Sequence, residues 1–251
     1  CNVSTHFKDW PVSNAVRPLM EKGADIFIRF NEGLSILKKV IALENGSDDV
    51  LNLDEGKRFD QMVSSLRPFG FRTFFRGKPK MKDGDVTIYQ NGGKGYVPRV
   101  DVEIATDLID KWKIYIGRAA PGTGNKDTYP HKILSTPFIG EPGSICSETY
   151  LCIGPFDSKA EAESALSYLT CRLTRLLILL HKPSQDTTRK VYTFVPKQSW
   201  DRQWTDSELY AKYGISIDEI NFIEKIVRPM DLNADLFGEV TVNDTDELDD
   251  E

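Results

Sequence analysis

The sequence predicts an α+β fold: a strand-rich, mixed-sheet domain with one long packed helix, followed by a C-terminal helical hairpin. Three observations predict it. Short apolar runs dominate from Phe69 to Ile153, among them Val86 to Tyr89, Lys113 to Ile116 and Tyr150 to Ile153, punctuated by Gly, Pro, Asn and Asp. Leu166, Leu169, Leu173, Leu176, Leu177 and Leu180 then recur at helical spacing. Beyond Trp204, Thr205-Asp206-Ser207-Glu208 and Ser216-Ile217-Asp218-Glu219 each have the capping-box form, in which hydroxyl and carboxylate satisfy free amides at a helix start.

In chain order, Asp25 to Arg29 reads as a strand, and a helix begins near Glu32 with Leu34, Leu37, Val40 and Ile41 on one face. Glu44 to Gly56 is loop-like, and a short helix through Phe59, Met62, Val63 and Leu66 is stopped by Pro68. The long helix is capped by Asp157 or Ser158, carries Glu161 and Glu163 near its positive end and Arg172 and Arg175 in its C-terminal part, and ends at His181-Lys182-Pro183. Lys190 to Val195 alternates like a strand. Gly214 suits the left-handed end of the first hairpin helix. These elements divide the chain into residues 1–62, an N-terminal strand–helix portion; 63–200, the domain core; 201–230, the helical hairpin; and 231–251, an acidic tail expected to be disordered.

At 251 residues the chain can bury a sizeable core. Leu176 to Leu180 is too short to cross a bilayer. The chain opens Cys1-Asn2-Val3, which predicts a segment of a longer protein. Four cysteines and three histidines form no close pair of the zinc-binding kind, so a reduced, metal-free, cytoplasmic chain is expected. The net charge of −6 is unevenly spread: residues 231–251 hold nine acids and no base, leaving +3 on residues 1–230. From Arg67 to Lys132, thirteen Lys and Arg face seven Asp and Glu, a surplus fit for a polyanion.

The stretch Gly117 to Leu134 follows an apolar run and is rich in glycine. Gly117 and Gly122 have P-loop spacing, but Thr123 and Gly124 stand where Lys and a hydroxyl residue are needed. No third glycine completes a dinucleotide fingerprint. No catalytic triad, methyl-donor motif or base-holding Asn-Pro-Pro turn is present, so no catalytic residue is assigned. Asp48-Asp49 and Glu55-Gly56-Lys57 imitate the acids and lysine of a metal-dependent nuclease, although on a loop-like stretch.

The block Ser64 to Phe75 (SSLRPFGFRTFF), the block Tyr129 to Leu169 and the block Val191 to Met230 together resemble the C-terminal region of bacterial adenine-specific DNA methyltransferases of type II and type II G restriction-modification systems. The resemblance covers residues from about 60 to 231. It implies a target recognition domain that docks on double-stranded DNA, with an upstream methyltransferase domain of the same polypeptide using S-adenosylmethionine, and Mg²⁺ where a nuclease is fused. No cofactor is implied for this segment itself.

On this reading Arg67, Arg72, Arg76, Lys78, Lys94 and Arg99 bind phosphates, together with Arg118 and Lys132 in later loops. Thr123, Asn125 and Lys126 are positioned to read base edges, with Tyr129 and His131 beside them. A metal-dependent restriction nuclease segment, or a protein-interaction module docking through the acidic tail and the Trp204 hairpin, are the alternatives.

Overall fold

A computed structural model describes residues 1–5, 13–47, 49–119 and 130–232. Its architecture is α+β, with helices packed on small sheets. Strands β1 (Asn2–Thr5) and β2 (Ser13–Val16) form an antiparallel pair. Asn31 fastens this pair to the body: its Nδ2 donates to the carbonyls of Val3 and Ser13 at 3.1 and 3.2 Å, and its Oδ1 accepts from Arg17 Nε at 3.0 Å. Helix α1 (Asn31–Asn45) starts there and ends at Gly46, whose φ of 82° is the left-handed conformation a helix C-terminus favours in glycine.

The expected strand at Asp25 to Arg29 joins no ladder; the carbonyl of its Ile28 is taken by the Arg17 guanidinium. The expected helix from Phe59 to Leu66 is a single 3₁₀ turn, Phe59–Met62. Beyond it Val63 bridges to Ile153, and the chain is drawn onto a sheet edge.

Six further strands follow: β3 (Asp85–Gln90), β4 (Gly93–Pro98), β5 (Trp112–Gly117), β6 (Phe138–Gly140), β7 (Ser144–Cys146) and β8 (Tyr150–Phe156). They make two three-stranded sheets. In one, of order β4-β3-β7, β3 pairs antiparallel with β4 and parallel with β7. In the other, β5 lies between β6 and β8, antiparallel to both.

Because side chains alternate along a strand, β5 serves two cores. Ile114 and Ile116 belong to the large helical core with Leu151 and Ile153, whereas Tyr115 joins Val86, Ile88 and Val97 in a smaller core under β3 and β4. The β5 sheet is therefore a middle layer. Lys113 lies within this layer, buried, and its Nζ donates to the carbonyls of Ile109, Lys111 and Glu141 at 3.0, 2.7 and 3.3 Å. Burial lowers its pKa to about 8.

The single long helix expected over 157–181 is two helices, α2 (Lys159–Thr170) and α3 (Arg172–His181), broken at Cys171 with ψ 139°. Ser158 caps α2, as expected of one of the two candidates. Arg172 and Arg175 consequently stand in the first turn of α3 and not near the end of a long helix. Partners distant in sequence stabilise the break: Asp206 Oδ1 accepts the Leu173 N–H at 3.1 Å, and the Arg175 guanidinium donates to the terminal carbonyl of α2, Thr170 O, at 2.9 Å.

The expected strand at Lys190 to Val195 is instead a 3₁₀ turn, Arg189–Tyr192, followed by coil. Val191 through Val195 are all buried, so no solvent face exists for the alternation to describe.

The hairpin is as expected: α4 (Asp206–Tyr213) and α5 (Ile217–Ile226), each with a complete capping box, separated at Gly214 with φ 59°. Leu209, Tyr210, Tyr213, Phe222, Ile223 and Ile226 are buried in the large core, which also takes residues of α1 and α3. The acidic tail beyond residue 232 lies outside the described residues. Among the described residues no helix is long and apolar enough to cross a membrane.

Two outcomes are expected. Asp206→Ala exposes the amide end of α3 and lowers stability by about 1–2 kcal/mol in denaturant unfolding. Lys113 has a folded pKa of about 8, below the ordinary lysine value, so above pH 8 the unfolded chain binds a proton that the folded protein has released. Wild type therefore gains stability relative to Lys113→Met as pH rises from about 8 towards 10, by up to ~1.4 kcal/mol per pH unit; parallel unfolding curves for the pair across that range would refute the shift.

Candidate functional site

The basic surplus of the sequence divides sharply in the structure. Residues 67–98 carry seven Lys and Arg against Asp83 and Asp85, whereas residues 101–110 carry four acids and no base. The basic part is a loop, residues 67–82, laid against the β3–β4 hairpin.

The loop opens with a tight turn in which Gly70 N–H donates to Arg67 O at 3.1 Å. Arg67 has φ 58°, a left-handed conformation disfavoured for a bulky residue, while Pro68 and Phe69 beside it are buried. Phe71 and Phe75 then pack on each other, ring centroids 4.5 Å apart, against the smaller core. Phe74 between them is turned outward and is 79% exposed.

Further on, Lys78 forms an antiparallel bridge with Tyr96, so the following Pro79 and Lys80 run along the outer edge of β4 towards Lys94. Two glycines permit this approach: a Cβ on Gly77 would stand 2.7 Å from Tyr96 N, and one on Gly95 would stand 2.9 Å from Gly77 Cα. Gln90 Oε1 accepts the Gly77 N–H at 2.7 Å. Arg67, Arg72, Arg76, Lys78, Lys80 and Lys94 are exposed, and among the described residues none is paired with a carboxylate. Phe74 and Met81, the latter 61% exposed, interleave them.

This loop is stapled to a cleft. Glu148 N–H donates to Phe71 O at 2.8 Å, and the cleft, about 530 Å³ in volume, lies between Thr73, the Asn91 turn of the hairpin, the end of β5 at Gly117, and Thr136, Phe138 and Tyr150. Arg118 stands at the cleft between two carboxylates, 3.4 Å from Glu148 and 3.6 Å from Asp186. Its backbone is pinned on both sides, N–H to Thr149 O at 2.9 Å and O from Thr187 N–H at 2.7 Å.

The sequence-derived residues are thus partly brought together. Arg72, Arg76, Lys78 and Lys94 share the loop–hairpin surface, and Arg118 borders the cleft beside it. Arg99 sits at the other end of the hairpin, beyond Pro98, with its guanidinium ion-paired to Asp110. His131 is buried, and its backbone brackets the end of α5 through Ile226 O at 2.8 Å and Arg228 N–H at 3.1 Å; Lys132 beside it is half-buried. Thr123, Asn125, Lys126 and Tyr129 lie outside the described residues.

Sequence reasoning passed over Phe74, Thr136 and the hairpin itself, although Asn91-Gly92 between two alternating runs is a hairpin signal. Of the nuclease-like residues, Asp48 lies outside the described residues, and Lys57 is engaged with Glu44 O at 2.5 Å and Asp54 at 3.2 Å.

Comparison with protein-family models, with curated proteins and with solved structures gave no match.

Arg67→Gly tests the strained turn. It is expected to raise stability by roughly 1 kcal/mol by removing the positive-φ penalty, read as a higher Tm.

Proposed function

We propose that this chain binds double-stranded DNA as the target recognition segment of a bacterial adenine-specific DNA methyltransferase, chemistry being performed by another domain of the same polypeptide. The observation that carries the DNA-binding half is the unpaired cationic loop and hairpin edge interleaved with exposed Phe74. Six exposed cations on one loop and the hairpin edge it runs along, without carboxylate partners among the described residues, repel one another, and a polyphosphate relieves that repulsion while releasing its own counterions. Phe74, 79% exposed amid such charge, offers an apolar face to a sugar or base.

Arg72, Arg76, Lys78 and Lys94 act as phosphate contacts that set register, and Thr123, Asn125 and Lys126 of the glycine-rich stretch read base edges. The methyltransferase half rests on the resemblance of the sequence blocks alone. S-adenosylmethionine belongs, on this reading, to the upstream domain.

The helical hairpin makes a poorer docking surface for a protein partner, because most of its large apolar residues are buried in or packed against the large core, although Ile217 is 76% exposed.

Fluorescence anisotropy with labelled duplexes over a range of salt concentrations tests the proposal. Binding is expected to weaken steeply with salt. Arg72→Ala should reduce affinity for every duplex alike and lower the log–log salt slope by about 1. Phe74→Ala should cost ~1 kcal/mol or more of binding while changing stability by less than about 0.5 kcal/mol. A wild-type chain with no salt-sensitive affinity for DNA would end the reading.

A further inference from the structure

Phosphate contacts leave the cleft beside the basic loop unused, and its chemistry differs from theirs. Its volume of about 530 Å³ falls in the range of roughly 300–1,000 Å³ common for small-ligand sites. Thr136 lines it and is 5% exposed, yet its Oγ1 has no hydrogen-bond partner. The Nε of Arg118 is likewise buried without a partner. Buried polar atoms left in this state cost free energy unless a ligand or water completes them. Glu148 brings a carboxylate whose contact with Arg118, at 3.4 Å, is long for a charge-assisted bond. Phe138 and Tyr150, edge to face with centroids 5.5 Å apart, give the cleft aromatic surface. Thr73 at its edge accepts from the exposed Arg76, whose Nη1 lies 2.8 Å from Thr73 O.

The geometry points to a pocket for a single unstacked nucleobase. This deepens the proposed function and rests on its nucleic-acid reading. An aromatic wall receives a π-face, the Thr136 hydroxyl and Arg118 Nε–H meet ring nitrogens or carbonyls, the Glu148 carboxylate accepts from an exocyclic amino group, and Arg76 beside Thr73 holds the attached phosphate. A base inside an intact duplex shows only its edge, so the pocket takes a bulged, mismatched or single-stranded base, or the same base on a free nucleotide. Adenine, cytosine and guanine carry the amino group that Glu148 requires; thymine does not.

The test compares the full chain with Thr136→Val, which keeps the side-chain shape and deletes only an unpartnered hydroxyl, so its Tm should stay level or rise. Anisotropy is measured on a duplex with one bulged adenosine and on the same duplex with an abasic residue there; calorimetry is run with adenosine monophosphate. The adenosine bulge should bind about tenfold tighter than the abasic one, with Thr136→Val removing most of the difference. Equal affinity for the two bulges, with no binding of the free nucleotide, overturns the pocket. If Arg72→Ala weakens both duplexes while Thr136→Val changes neither bulge nor nucleotide binding, the phosphate surface stands and the pocket falls. Should no DNA bind at all, Thr136-dependent binding of adenosine monophosphate still supports the pocket, with a free nucleotide as its source; absence of that binding removes it.

Discussion

The structure depends on burying helix α3 on every side. Leu173 through His181 are all buried, so this helix has no solvent face on which its ends can find water. Its free amides and carbonyls must be satisfied by the rest of the chain, and each partner fixes a distant segment. Asp206 at the start of α4 takes the Leu173 amide, Arg175 joins the end of α2 to Arg228 O at 2.5 Å, and Arg29 donates to Lys182 O at 3.1 Å. His181 Nε2 lies 2.7 Å from Asp25 Oδ1. The N-terminal portion, the middle domain and the hairpin are thereby held by one element, and the large core draws residues from all three.

That anchoring reaches the candidate site through the middle layer. The buried Lys182 donates from Nζ to Ile133 O at 2.8 Å, and His131 pairs with the end of α5, so the return of the glycine-rich stretch is fastened to helices. Its departure at Gly117 and Arg118 is fastened to the segments around Thr149 and Thr187. The cleft walls therefore combine the strand residues Gly117, Phe138 and Tyr150 with loops pinned by backbone hydrogen bonds, and the cationic loop is clipped to Glu148 on one side and to β4 by the close approach of Gly77 to Gly95 on the other. Charge placed on such a base keeps its spacing, as contacts that set register on a rigid polyanion require.

Several features were legible in the residues because their causes are local. The capping boxes at Thr205 and Ser216 and the glycine at 214 act within one helical turn, and both helices form where those signals stand. The runs at Val86, Lys113 and Tyr150 lie within strands for a similar reason: alternation or apolar density matches the pleat. The site was legible only as charge. Thirteen cations between Arg67 and Lys132 marked the region, but nothing in their spacing showed that Arg99 would pair with Asp110, that Arg118 would sit between two carboxylates, or that His131 would be buried.

The sequence by itself determined the α+β class, the caps of the terminal hairpin and the presence of a basic middle region, since composition and short-range periodicity decide these. Only the tertiary structure decided the break at Cys171, the coil at Asp25 to Arg29, the 3₁₀ turn where Lys190 to Val195 alternates, and which cations remain unpaired. In each of these the deciding partner is far away in the chain: Asp206 for the helix break, Arg17 for Ile28 O, the core that covers Val191 to Val195, and Asp110, Glu148 and Asp186 for the arginines. Local pattern records what a segment prefers alone, and burial on all sides by remote residues overrides that preference.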